Sequence, residues 1–171
     1  KIAGSERPFS EFSLHMAVYS ARDDVNAVVH AHPPNATAIA CSDTNLLEHA
    51  FIAEAVVSIG ATIPMAPFTM PGSEAVLEVG KYVRSVDALL MQNPGVLAWG
   101  ANIEQAFLRL ELVEHLAKIA IAAQPLGGVN RLRPSAVKAL LKKRSKSGLG
   151  QAADQAMEQT PANRGSTDKP E

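Results

Sequence analysis

Cysteine is all but missing from this chain: Cys41 stands alone, so no intrachain disulfide can form and the stapled frameworks of small secreted domains are excluded. Aromatic residues are scarce at 5%, with a single tryptophan, Trp99. No run of about 18 uninterrupted apolar residues occurs, which leaves no candidate membrane-spanning helix. The basic, proline-containing start has no apolar targeting segment behind it. Nor is there an excess of charge of either sign, since 16 Lys and Arg stand against 17 Asp and Glu for a formal net charge of -1. That balance gives no general reason to expect nucleic acid or an anionic membrane as partner, whereas a small anionic substrate needs only a local site. Together these absences predict a soluble, cytoplasmic protein. Cys41 itself reads as a small buried residue in an alanine-rich context.

What the chain does have is apolar bulk. Of its 171 residues 47% are hydrophobic, enough for one domain with a sizeable core. The first residue is Lys1, and this start reads as a processed, trimmed or partial chain. Ser10 is expected to cap a helix through EFSLHMAVYSA, with Glu11 in its first turn and Phe12, Met16 and Tyr19 at helical spacing. A strand from Ala27 to His32 should follow, then an alanine-rich segment and a second helix over LLEHAFIAEAVVSI, ended by Gly60. TIPMAPF reads as a short extended piece broken by prolines, and Ser73 as the cap of a helix over SEAVLEVGKYVRSV. DALLMQNPGVLAWG gives two apolar strands around an Asn93-Pro94-Gly95 turn, and a long helix should run from Asn102 to about Ala123. The alternation is an α/β pattern with short connections and no internal repeat.

The C-terminal part differs in kind. Residues 129–144 predict a short basic helix, Ser135 to Arg144, whose charges meet either an acidic surface or solvent. Residues 145–171 have few large apolar groups and read as a disordered tail. The main domain is thus assigned to residues 1–128.

The chemistry concentrates in VNAVVHAHPP. On a strand, residues i and i+2 point to one side, so His30 and His32 should face one accessible point. Two imidazoles supply two of the three protein ligands that a catalytic zinc commonly has. The same spacing equally fits a strand end at which each ring is satisfied by a backbone carbonyl. Glu11 is similarly open, because a carboxylate in a first helical turn favours the helix N-terminus with no catalytic purpose. His15 lies one turn after Glu11 and could share its face. His49 and His115 sit in expected helices and read as surface or packing residues, and Trp99, Phe107 and Leu110 as packing residues.

PFSEF (residues 8–12), HAHPP (30–34) and VLAWGANIEQAFLRLELVEHLAKIA (96–120) occur in this order, and together they resemble the class II aldolase and adducin head family over roughly residues 5–123. The resemblance implies an α/β fold, a three-layer α/β/α domain with a mainly antiparallel central sheet, assembled as homotetramers with sites at subunit borders. It makes Glu11 the catalytic acid/base, Ser10 a contact to substrate phosphate, and His30 and His32 the first two ligands of Zn2+ or of another divalent metal such as Mn2+ or Co2+. Phe9 stands where the family has a second serine. The family's third metal histidine lies in an Asn-His-Gly or His-His-Gly turn, and here that turn is Asn93-Pro94-Gly95. Proline cannot bind a metal, which leaves Gln92, Asn93, Glu11 or a neighbouring subunit to complete the shell. Phe51 falls near a family tyrosine that donates a proton, and phenylalanine has no donor. Glu111 and Glu114 match acidic positions of the family, although from the residues alone they read as a solvated or intersubunit face. The family also carries a long segment before the glutamate motif, including part of the phosphate site, whereas ten residues precede Glu11 here.

Two functions follow from the resemblance. One is a metal-dependent aldehyde-lyase that cleaves a small ketose 1-phosphate of the fuculose-phosphate type, with a small phosphorylated sugar as its partner. The other is a non-catalytic, adducin-like assembly or binding protein with a degenerate metal site.

Overall fold

The computed structural model describes residues 9–150. Four strands form one sheet in the order β1-β4-β3-β2. Strand β1 (Ala27–Ala31) pairs antiparallel with β4 (Gly95–Gly100), Ala27 opposite Gly100 and Ala31 opposite Val96. β4 pairs antiparallel with β3 (Ala88–Met91), and β3 pairs parallel with the short edge strand β2 (Met65–Ala66). β3 and β4 are buried along their whole length because both faces of the sheet are covered, which is why they read as unbroken apolar runs.

Strand periodicity divides the core in two. Leu90, Val96 and Ala98 face a layer made by α2 (Pro34–Ala40), α3 (Ala53–Ser58) and α5 (Ile103–Ala123). Leu89, Leu97 and Trp99 face Leu14 and Val18 of α1 (Phe12–Ala21) and Val79 of α4 (Ser73–Gly80). The result is the three-layer α/β/α arrangement with a mainly antiparallel sheet. The longest helix, α5, starts where expected: the Asn102 side chain accepts from the Gln105 N–H at 2.8 Å, and Gln105 Oε1 accepts from the Ala101 N–H at 2.8 Å. Among the described residues no helix is long and apolar enough to cross a membrane.

Several local expectations are corrected. The helix over residues 46–59 shrinks to Ala53–Ser58. Asn45 accepts from the Leu47 N–H at 2.9 Å and donates to the Ile63 carbonyl at 2.9 Å, bonds that hold the preceding stretch in a turn instead of a helix. The alanine-rich NATAIA, given no element in advance, is α2. Ser10 does not cap α1; Glu11 occupies the cap position without a side-chain cap bond, and the Ser10 hydroxyl donates to the Glu11 carboxylate. Gly72 precedes Ser73 as the cap residue of α4. Cys41 and Phe107 are exposed, whereas Trp99 and Leu110 are buried as expected. The basic helix α6 spans Pro134–Lys146 and packs on α3. Its Arg144 meets neither an acidic surface nor solvent but enters the core at 1% exposure. Of the tail expected over 145–171, the part 151–171 lies outside the described residues.

Candidate functional site

The sheet register delivers His30 and His32 to the end of β1 that abuts the β3–β4 turn. Gly95 makes that approach possible: its φ is +99°, and a Cβ there would fall 2.6 Å from the Ala31 carbonyl oxygen. Asn93 adopts a left-handed conformation with φ 71°, which asparagine tolerates at modest cost. The turn therefore sits directly against the histidine strand.

His30 Nδ1 is 2.9 Å from the Val96 carbonyl. A carbonyl only accepts, so Nδ1 carries the proton and the Nε2 lone pair is left facing outward. His32 Nε2 stands 3.2 Å from His30 Nε2, and in the free pair its N–H donates to that lone pair. Two nitrogens bound to one zinc at ~2.0–2.1 Å and a tetrahedral angle stand roughly 3.3 Å apart, so the spacing of the pair suits one metal once His32 carries its proton on Nδ1 instead of Nε2. Burial, reinforced by the charge on His32, holds the His30 pKa below 6.5 against the opposing Val96 carbonyl and Glu11. His30 is thus neutral, the form in which imidazole ligates, at neutral pH.

Glu11 lies within electrostatic reach of the pair. The Ser10 hydroxyl bond first, then a backbone bond and the nearby charges of His30 and His32, hold its carboxyl below 4.5, with slight burial opposing. His15, one helical turn on, packs edge-on against Phe9 with ring centroids 5.1 Å apart. Its Nε2 is buried with no hydrogen-bond partner among the described residues. A cavity of about 100 Å³ opens beside Glu11, walled by Ser10, Gln92 and Pro94 together with apolar Leu14 and Met91. Gln92 has its Oε1 engaged by the Phe68 N–H at 3.0 Å. Among the described residues no group of three His, Cys, Asp or Glu is arranged to hold a metal ion. Phe51 packs in the α2–α3–α5 layer, and His49 and His115 are exposed.

One contributor was missed by the sequence reading. Glu114 of α5 takes hydrogen bonds from the Asn35 and Ala36 backbone N–H groups at 3.1 and 2.8 Å, and from the Asn35 amide at 2.7 Å. It caps the helix that begins directly after His32. The available signal was a lack: α2 opens Pro-Pro-Asn with no local side-chain cap.

The comparisons with known proteins agree with this fold. Residues 1–121 match the Class II Aldolase and Adducin N-terminal domain model. The chain is 29% identical over 144 residues to 5-deoxy-D-ribulose 1-phosphate aldolase of Bacillus thuringiensis serovar kurstaki, covering 83% of this chain and 66% of that protein. It is 36% identical over 114 residues to L-fuculose phosphate aldolase of Escherichia coli K12, covering 66% of this chain and 52% of the relative. A solved L-fuculose 1-phosphate aldolase superposes with a TM-score of 0.76 at 29% identity, covering 84% of this chain and 67% of that one. The chain thus spans about half to two thirds of the length of these curated relatives. With its sheet order, its histidine strand and the family match over most of its length, the chain belongs to the class II aldolase and adducin family.

Proposed function

We propose that this chain carries the acid/base and metal-binding part of a metal-dependent aldehyde-lyase that cleaves a small ketose 1-phosphate of the fuculose-phosphate type. The observation that carries the proposal is the pair of imidazole nitrogens 3.2 Å apart, with the Glu11 carboxylate near enough for their charges to lower its pKa. The sugar-phosphate aldolases among its relatives support the substrate class.

His30 and His32 would hold the divalent ion, zinc or else manganese or cobalt, through their Nε2 atoms. When bound, such an ion supplies a Lewis acid toward the ketose carbonyl. In the retro-aldol step a hydroxyl proton leaves, the adjacent carbon–carbon bond breaks to give an aldehyde, and the carbon next to the ketone takes up a proton. Glu11, anionic at neutral pH and bordering a cavity that Pro94 also lines, would take up that hydroxyl proton as a base and return it to the carbon as an acid. Ser10 offers one hydroxyl toward the phosphate. In the present geometry that hydroxyl is spent on Glu11, so substrate phosphate would compete for it. The remaining phosphate donors would come from the segment that the family carries before the glutamate motif, and the metal's third protein ligand from Gln92, Asn93, Glu11 or a neighbouring subunit of a homotetramer.

A second function is favoured by one specific feature. Pro94 stands in the turn beside the histidines, and no third His, Cys, Asp or Glu joins the pair in a metal-holding group among the described residues. This supports a non-catalytic, adducin-like assembly protein with a degenerate metal site. Elemental analysis of protein purified without added metal or a histidine tag separates the two. About one ion per chain, lost in His30→Ala/His32→Ala, supports the lyase and leads to assays on ketose 1-phosphates. A metal-free oligomer overturns the lyase and supports the assembly function.

A further inference from the structure

At the opposite end of the β1–β4 pair from the histidines, Asp87 is fully buried and meets three arginines. Its Oδ1 accepts from Arg22 Nη2 at 3.0 Å and its Oδ2 from Arg144 Nη2, while Arg109 Nη2 forms an ion pair with Oδ2 at 2.8 Å. Arg22, Arg109 and Arg144 are 4%, 6% and 1% exposed. Asp24 is the remaining carboxylate in the cluster, bound to Arg22 Nε at 2.7 Å. Among the described residues three guanidinium groups therefore face two carboxylates, and one positive charge is left over in a largely desolvated setting.

Among the three arginines, Arg109 is the one that both lines a cavity and keeps N–H groups without a protein acceptor among the described residues, whereas Arg144 donates to Val57 O and Asp87 and stands outside that lining. Arg22 spends all of its N–H groups on Asp24, Asp87 and the carbonyls of Val83 and Val86. Arg109 donates from Nε to Ser58 O and from Nη1 to Trp99 O and forms an ion pair through Nη2 with Asp87, which leaves one N–H on Nη1 and at least one on Nη2 without a protein acceptor among the described residues. Burial, joined by the charges of Arg144 and Arg22, holds its guanidinium below the usual arginine value against the pull of Asp87 and Asp24. Beside it lies a cavity of about 280 Å³ walled by Arg22, Asp24, Arg109, Gln105 and the Gly148–Gly150 segment. The N-terminus of α5 borders the same space through Gly100 and Ala101, and its dipole adds to the positive potential.

We propose that this cavity is a binding site for a small oxyanion, of phosphate or carboxylate type, held by the free N–H groups of Arg109 and separate from the Glu11 site. A planar guanidinium fork suits such a ligand because it offers two parallel donors. The anion neutralises the surplus charge, so binding stabilises the fold. The site is independent of whether the histidine pair holds a metal.

The test is thermal unfolding of the full chain at about pH 7.5, titrated with inorganic phosphate and, separately, acetate, each against chloride at equal ionic strength. The expected result is a saturable rise in Tm with at least one of the two oxyanions, the stronger naming the ligand class. Arg109→Gln should weaken the apparent affinity by about tenfold or more. Gln105→Glu keeps the acceptor for the Ala101 N–H and places a carboxylate at the cavity wall, so it should weaken the response to the same degree even if Arg109→Gln fails to fold. Ser10→Ala should retain the response. No rise beyond chloride, a rise unchanged in Gln105→Glu, or a rise lost in Ser10→Ala would overturn the proposal.

Discussion

Glu114 and Ala36 are 78 residues apart in the chain, and a 2.8 Å hydrogen bond from the Ala36 N–H to Glu114 Oε2 joins them. The bond ties the longest helix to the first turn of α2, and α2 begins where the histidine strand stops. An acidic position that reads as solvated from its helix spacing is therefore a clamp behind HAHPP. It neutralises the orphan N–H groups of a helix whose own sequence supplies no cap.

Removing that clamp should cost stability. Glu114→Ala leaves the Asn35 and Ala36 N–H groups without their acceptor, and the expected loss is about 2 kcal/mol. Glu114→Gln retains an acceptor oxygen but not the charge, so it should lose roughly half as much. Urea unfolding midpoints with unchanged m-values would show it, and a Glu114→Ala protein as stable as wild type would refute the capping role.

His15 sets an acid limit. Burial and the neighbouring His30 hold its pKa below 6.5 in the folded chain, so the native state binds fewer protons than the unfolded state between the two values. Stability from this group is complete above the unfolded value and is lost as pH falls from about 6.5 through the folded pKa. Metal-free protein should unfold more readily over that window. His15→Gln should flatten the slope, by at most about 1.4 kcal/mol per pH unit for one proton. His30 is shifted in the same direction, so part of the slope should persist in the variant. Identical stability-versus-pH curves for the two proteins would rule out a contribution from His15.

Pro94→His addresses the incomplete metal shell. The turn bearing residue 94 abuts Ala31 and His32 through Gly95, so an imidazole there is close to the existing pair. Loss of an outer-shell partner alone costs about 10–100-fold in metal affinity, so a third direct ligand should tighten zinc binding by at least about tenfold. Competition against a chelating indicator would measure it. Equal affinity in the two proteins would mean that another residue or a neighbouring subunit already fills the position.

The sequence made legible whatever depends on local pattern. The β3–β4 hairpin announces itself through two apolar runs around Asn93-Pro94-Gly95, and α5 through its Asn102 cap. His30 and His32 share a side because strand geometry leaves them no choice. What escaped depends on partners remote in the chain. The stretch before α3 is apolar and helix-like, yet the link from Asn45 to Ile63 turns it away from helix. Arg144 reads as one more charge in a basic run, and nothing nearby reveals that its acceptor is Asp87, 57 residues earlier. The family resemblance supplied the roles of Glu11 and the histidines, and it could not supply the arginine cluster because α6 lies beyond the matched region.

Asp87 should be the most sensitive single position outside the site. It is the one buried acceptor shared by Arg22, Arg109 and Arg144, and those side chains reach it from the end of α1, from α5 and from α6. Asp87→Asn keeps the shape but leaves three guanidinium groups facing Asp24 alone, so the expected destabilisation is about 3–5 kcal/mol. Arg144→Gln removes one of those charges and leaves Asp87 with two partners, so it should cost less, while the Asp87→Asn/Arg144→Gln double variant should be more stable than the sum of the single losses. The same Arg144 variant should loosen α6 and raise proteolytic cleavage within residues 134–146. Additive losses, or an α6 no more accessible than before, would show that Arg144 is a bystander and that the helix is held to α3 by its apolar contacts alone.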